Sequence, residues 1–295
     1  MTTSTETAFS SDPYVSRLAD HWEAVDRADP VIWNDRYAGP LDRKQLEHFQ
    51  QDGMFSIEQL IGADEADELL ATAQQLAAEA TPHDESIVIE PGSGAVRSIF
   101  RVHQTSERFR ALCRDSRLVD AARQILGSDV YIHQSRINFK PGFSGKEFFW
   151  HSDFETWHME DGMPRMRALS MSLSLTPNHS FNGPLMLVPG SHRTYIRCAG
   201  ETPDQHYRSS LKKQEYGVPS REALRLLIER GGGIRAATGS PGSATFFDCN
   251  TMHGSVANLS PDDRTNLFVV FNSIENKLVE PFGGKPPRPA FLAER

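Results

Sequence analysis

The chain has 295 residues, with 31 Lys and Arg against 39 Asp and Glu, a net charge of -8 and a pI near 5.8. That balance argues against a nucleic-acid partner, which needs a concentrated basic face, and no stretch reaches the ~20 apolar residues that cross a bilayer. Cys113, Cys198 and Cys249 form no CxxC pair, and the polar start MTTSTETAFSSDPY lacks the basic and apolar segments of a signal peptide, so a reducing, cytoplasmic setting is expected.

Residues 1–12 read as a disordered tail. From Asp12 to about Ala80 the pattern is helical, with one helix capped by Asp42 and stopping near Gly53, and a second over Asp64–Ala80, rich in Ala, Leu, Glu and Gln. Pro82 to Gly94 reads as a loop. Helical pattern returns over Ser106–Cys113 and Ser116–Leu126, where Gly127 supplies a stop. Beyond it the grammar changes to strands: Val130–Phe139, Arg167–Leu175, Pro184–Val188, Ser243–Phe247 and Asn266–Ile274. The cleanest alternation puts Leu169, Met171, Leu173 and Leu175 on one face and Ser170, Ser172 and Ser174 on the other. Residues 200–239 form an insertion with one helix, Ser220–Arg230, ended by three glycines. Helices first and short strands afterwards predict a mainly β fold with α: a double-stranded β-helix (jelly roll, cupin-like) flanked by N-terminal helices. One domain is expected over 13–295, with a helical layer at about 13–126 and a jelly-roll core at about 128–276.

The chemistry concentrates in Phe148-Phe149-Trp150-His151-Ser152-Asp153. Side chains at i and i+2 of a strand share a face, so His151 and Asp153 can grip one metal together. His253, after the apolar run Ala244–Phe247, supplies a third ligand. Two His and one carboxylate leave one side of the coordination sphere open, the pattern of non-haem Fe(II) oxygenases. Arg264 follows at the start of the last strand. Its guanidinium suits the distal carboxylate of 2-oxoglutarate as a planar, bidentate, permanently charged partner, and Ser170 or Asn138 can complete that anchor. Alone, Arg264 would read as a surface ion pair with Asp262 or Asp263. His158 and Glu160 form a competing HxE pair, but Glu160-Asp161-Gly162-Met163-Pro164 is turn-like, so His151/Asp153 is preferred. His192, in the Pro-Gly turn after Pro184–Val188, reads as structural.

The run from Phe148 to Pro164, FFWHSDFETWHMEDGMP, resembles the signature of the ectoine hydroxylases within the phytanoyl-CoA dioxygenase-like superfamily. Asn182 to His192 resembles a turn of that superfamily, and the likeness covers about residue 12 to the end. The resemblance implies a cytoplasmic dioxygenase that uses Fe(II), 2-oxoglutarate and O2 to hydroxylate the compatible solute ectoine, commonly as a homodimer. His151, Asp153 and His253 would hold iron. Arg264, Ser170 and Asn138 would hold 2-oxoglutarate, with Phe100 lining the pocket. Gln134, Trp157, Phe247, Thr156, Ser172, Phe268 and Val270 would form the ectoine pocket. Asp153 fills the position that related halogenases vacate for halide, so hydroxylation is expected. One departure is Asn266, two residues after Arg264, where many such oxygenases carry Ser; Ser170 is the expected substitute.

Two other readings predict different behaviour. A relative acting on another small zwitterion or amino acid would release succinate with that substrate instead. A non-catalytic jelly roll would bind metal or metabolite without consuming oxygen. A zinc hydrolase fits less well, because no motif places a general base.

Overall fold

The computed structural model describes residues 12–17, 20–34, 37–81, 83–90, 93–211 and 214–295; apart from Asp12, the tail expected to be disordered lies outside them. The strands are β1 Glu23–Asp26, β2 Met54–Ile57, β3 Ile87–Ile89, β4 Val96–Phe100, β5 Val130–Lys140, β6 Phe148–His151, β7 Ala168–Ser174, β8 Leu185–Leu187, β9 Thr194–Arg197, β10 Arg235–Ala237, β11 Ala244–Asp248, β12 His253–Ser255 and β13 Arg264–Ser273. The helices are α1 Arg43–Asp52, α2 Ala63–Ala78, α3 Val102–Thr105, α4 Glu107–Cys113, α5 Ser116–Leu126, α6 Asp153–Thr156, α7 Tyr207–Ser210 and α8 Arg221–Gly231.

A seven-stranded sheet runs β2-β11-β7-β13-β5-β4-β3, and a four-stranded sheet runs β10-β8-β12-β6. Their pairings are antiparallel throughout. This is the expected jelly roll, with α1, α2, α4 and α5 laid on the outer face of the larger sheet. The helices form where caps and apolar spacing agree. Asp42 and Gln45 close a capping box on α1, and Gly53 ends it in the left-handed region at φ 72°. Asp115 caps α5 and Gly127 stops it. Between them α5 turns Leu118, Ala121, Ala122 and Ile125 into a core shared with Leu169, Met171 and Leu173 of β7. Each such Leu or Ile contributes about 1.5–3 kcal/mol by leaving water.

Several expectations need correcting. The stretch 12–80 is not wholly helical: β1 pairs with β9, and β2 edges the large sheet beside β11. Met54-Phe55-Ser56-Ile57 is too short for a helix, and the αL cap at Gly53 redirects the chain into the sheet. The loop expected before Gly94 contains β3, paired with β4. The insertion returns through β10, which pairs with β8. Glu160–Asp161 lies not in a turn but in a π-helical segment, Trp157–Asp161, stopped by Gly162 at φ 82°. That glycine is obligatory, because a Cβ there would sit 2.0 Å from the Val279 carbonyl oxygen.

Candidate metal centre and its two cavities

His151 ends β6 and His253 opens β12, and the two are cross-strand partners. Their ring centroids lie 4.3 Å apart. Asp153 does not share the strand with His151, as the i, i+2 argument supposed: the chain turns at Ser152 and Asp153 opens α6. The turn is held by Phe154 N–H donating to Cys249 O at 2.9 Å and the Ser152 hydroxyl to Asn250 Oδ1 at 2.9 Å. It brings Asp153 Oδ1 to 3.6 Å from His151 Nε2 and 3.8 Å from His253 Nε2. All three ligand atoms fall within 4.8 Å of one another, the one such cluster among the described residues.

The outer nitrogens are already engaged. His151 Nδ1 lies 2.7 Å from Phe149 O and His253 Nδ1 lies 2.9 Å from Thr251 O. A carbonyl only accepts, so each Nδ1 carries its proton and each Nε2 lone pair faces Asp153, ready for a metal. Burial, and then the His151 ring, pull His253 down to about 4. Burial opposes ionisation of Asp153, but His253, His151 and Arg136 outweigh it and hold the carboxyl below its ordinary range. The donor set therefore fits a divalent cation: two neutral imidazoles and one anion, with the Ser170 hydroxyl donating to Asp153 Oδ2 at 3.3 Å.

Acid should undo the metal-free fold through its histidines. Burial holds His103, His192 and His253 at about 4, whereas the unfolded side chains titrate near ~6.5. Between those values the unfolded state takes up protons that the folded state refuses, so stability falls as pH falls. Glu160, held at about 2 against burial by His206, Arg17 and Arg288, loses its contribution only at lower pH. A melting temperature that stayed flat from pH 7 to about 4.5 would contradict this.

The cluster lies where two cavities meet. One is lined by His151, His253, Asn138, Arg136, Ser255 and Arg264; the other by His151, Asp153, Gln134, Thr156, Trp157 and Phe100. At the first, Arg264 makes no surface ion pair. It is 2% exposed, Nη2 donates to Gly183 O at 2.9 Å, and Nε and Nη1 have no hydrogen-bond partner among the described residues. Burial, and then Arg136, lower it to about 10. A buried guanidinium with two free donor positions fits an anion. Asn138 lines the same cavity while its amide donates to Ser98 Oγ at 3.2 Å. Phe268 lines it too, 5.0 Å beneath the Arg136 guanidinium.

At the second cavity, Gln134 Nε2 donates to Leu292 O at 2.7 Å, and Thr156 Oγ1 accepts from Gln214 at 3.2 Å. Trp157 is buried edge-on to His133, 5.0 Å away. Phe100 stands here rather than beside Arg264.

Four predicted residues sit elsewhere. Ser170 touches Asp153 and does not line the Arg264 cavity. Phe247 backs the His253 ring at 5.0 Å. Val270 packs with Trp157 in a core cluster. Ser172 accepts from Asn266 Nδ2 at 3.0 Å and lines a separate polar cavity with Ser56, Ser174 and Asn178. Asn266 Nδ2 is thereby engaged by Ser172 and not by an acceptor at the guanidinium two residues before it.

Arg136, Ser255 and Arg288 line the cavities without having been singled out from sequence. Strand alternation was the available signal, since Arg136 lies between Gln134 and Asn138 at i±2, and Ser255 is i+2 from His253. The competing HxE pair is structural. His158 bonds Met163 O and Asp12, and Glu160 is taken by Arg17 and His206.

Comparison with known proteins agrees with this geometry. Residues 49–266 match the family model described as phytanoyl-CoA dioxygenase (PhyH). Ectoine dioxygenase of Bordetella bronchiseptica is 54% identical over 288 residues, 97% of this chain and 93% of the relative. The crystal structure of EctD from S. alaskensis with 2-oxoglutarate and 5-hydroxyectoine superposes with a TM-score of 0.86 at 48% identity, covering 96% of this chain and 95% of that one. The same enzyme with bound Fe gives 0.83 at 46% identity, with the same coverage.

Proposed function

The chain belongs to the phytanoyl-CoA dioxygenase family, and from that premise we infer an Fe(II)- and 2-oxoglutarate-dependent dioxygenase that hydroxylates ectoine to 5-hydroxyectoine. One observation carries this reading: a two-His, one-carboxylate cluster stands between an anion cavity and a second cavity, in a chain 54% identical to an ectoine dioxygenase along nearly its whole length. When bound, iron with 2-oxoglutarate and O2 supplies the oxidising chemistry, in which the keto acid leaves as succinate and CO2 and one oxygen atom enters the substrate.

The protein's part is positional. His151, Asp153 and His253 would hold the metal, a ligand set that leaves coordination positions for the cosubstrate and O2. Arg264 binds the distal carboxylate of 2-oxoglutarate through its free Nε and Nη1, with Asn138 and Ser255 beside it. Ser170 steadies the Asp153 carboxylate, and Phe247 fixes the His253 ring. Gln134, Thr156 and Trp157 hold ectoine in the second cavity, where the indole face suits the delocalised amidinium ring. Phe100 and Phe268 shape the walls, Val270 packs behind Trp157, and Ser172 holds Asn266. Arg136 serves both ligands from between the cavities.

The unit that does this is residues 13–295, working in the cytoplasm as a homodimer. Three buried, unbridged cysteines support a reducing compartment. Exposed Phe143, Phe181 and Leu259 are drawn together by Phe143 N–H to Ser260 O and Leu259 N–H to Phe181 O, giving an apolar surface that a second copy can cover. Among the described residues no helix is long and apolar enough to cross a membrane.

The test is anaerobic purification, addition of Fe(II), 2-oxoglutarate and ectoine, exposure to oxygen, and mass spectrometry. A product heavier by one oxygen, with matching succinate, is expected from ectoine and not from proline; faster turnover of proline would replace the substrate assignment. Trp157→Ala should raise the KM for ectoine about tenfold and leave that for 2-oxoglutarate unchanged.

A further inference from the structure

Between the helical layer and the larger sheet lies another cavity, of about 360 Å³, lined from α3, α4, α5, β5 and β13. The register of β5 on β13 shifts between Ile132 and Gln134, and that irregularity sends the two side chains to different sides of the sheet. Gln134 lines the cavity beside the metal cluster. Ile132 packs with the helices and lines this one.

The lining is divided by chemistry. Cys113, Val119, Val130, Ile132 and Phe271 are apolar, and Arg110, Arg114 and Arg123 bring three guanidiniums. Arg123 is paired with Asp120 at 3.0 Å and Asp129 at 3.1 Å. Arg110 donates to the backbone carbonyls of His103 and Gln104. Neither Arg110 nor Arg114 meets a carboxylate among the described residues. The two stand four residues apart, so they share one side of α4 and its last turn. The acid in the lining is Glu294, which accepts from Gln104 Nε2 and lies 3.7 Å from His103 Nε2. The chain thus already seats one carboxylate of its own at this cavity.

We propose that the cavity is a binding site for a small amphiphilic carboxylate, its hydrocarbon part against the apolar lining and its head at Arg110 and Arg114, with Glu294 as the competing anion. A bare inorganic anion would leave the apolar lining wet, and a neutral hydrocarbon would strip water from the guanidiniums without replacing it. The volume is at the small end of ligand pockets, which suits a body of a few carbons. His103 registers the positive field: burial, then Arg101, Arg110 and Arg114, lower it to about 4.

Calorimetry tests this on the iron-loaded protein, with oxygen excluded and 2-oxoglutarate saturating so that the Arg264 cavity is already filled. Hexanoate should bind at one further site. Acetate, hexanol and inorganic phosphate should each bind at least about tenfold more weakly, since each lacks the hydrocarbon or the carboxylate. Arg114→Ser, at an exposed position, should weaken hexanoate roughly tenfold and leave hexanol unaffected. Glu294→Gln keeps an acceptor for Gln104 but removes the competing charge, so hexanoate should bind about threefold more tightly or better. The proposal is overturned if hexanoate gives no binding, if hexanol or phosphate matches it, or if Arg114→Ser titrates like the parent. Should Arg114→Ser fail to fold, Glu294→Gln decides, and hexanoate binding that is unchanged or weaker there ends the proposal.

Discussion

An Asp153→Ala protein is expected to fold, to bind no stoichiometric iron, and to lose hydroxylation by on the order of 10³-fold or more. Asp153 is the only anion in the cluster. Without it, two neutral imidazoles face a cavity that also contains Arg136 and Arg264, and the field there repels a dication. Metal-free stability should change little. The buried carboxylate is held by Arg136 and the Ser170 hydroxyl against its own desolvation, so its removal loses attraction and desolvation cost together. A melting temperature within about 4 °C of the parent is expected without metal. The rise that Fe(II) produces in the parent should vanish in the variant, because that rise is binding free energy. Iron-dependent succinate release surviving in Asp153→Ala would end the assignment of this cluster as the metal centre.

The fold was legible where local and tertiary signals agree. The α5 helix emerges at its expected bounds because Asp115, Gly127 and an apolar stripe all specify it. The short strands were hidden for the opposite reason. β2 and β3 have four and three residues, and what makes them strands is the neighbour they pair with. The alternation in β7 was read correctly as two faces, but its polar face is buried as fully as its apolar one. Ser170, Ser172 and Ser174 point between the sheets, where Ser170 meets Asp153 and Ser172 meets Asn266. In a jelly roll with a site in its interior, a polar stripe marks the site side as well as it would mark solvent.

The metal ligands were visible as residue types at a spacing, although the stated reason for the spacing was only half right. His151 is on a strand; Asp153 is brought round by a turn anchored to Cys249 and Asn250. What sequence could not supply was which pocket residue reaches which cavity. Phe100 and Ser170 were grouped with Arg264 and stand nearer the other ligands. Ser255 was passed over, although it occupies the i+2 position from His253 that the same alternation rule would have selected. These assignments depend on cross-strand register, as between Arg264 and Lys140, and register is fixed by the whole sheet.

Arg264→Leu is expected to raise the KM for 2-oxoglutarate about 10²–10³-fold while leaving metal binding and ectoine affinity near those of the parent. The argument starts from what the guanidinium lacks. Among the described residues only Nη2 has a partner, Gly183 O, and two further donor positions are buried and unmet. Burying a cation with empty donors is unfavourable, and the neighbouring Arg136 adds repulsion. The ligand-free protein therefore carries a cost at this position that an incoming carboxylate relieves. Leucine removes both the cost and the relief, so the metal-free variant should melt no lower than the parent while its cosubstrate binding collapses. Arg264→Lys should fall between them, since an ammonium keeps the charge but not the two-pronged geometry. Steady-state kinetics with 2-oxoglutarate varied at saturating ectoine, alongside thermal melting without ligands, separates the two effects. A KM within about threefold of the parent would mean that the carboxylate is held elsewhere, and a sharp loss of melting temperature would mean that Arg264 is there to build the turn at Gly183.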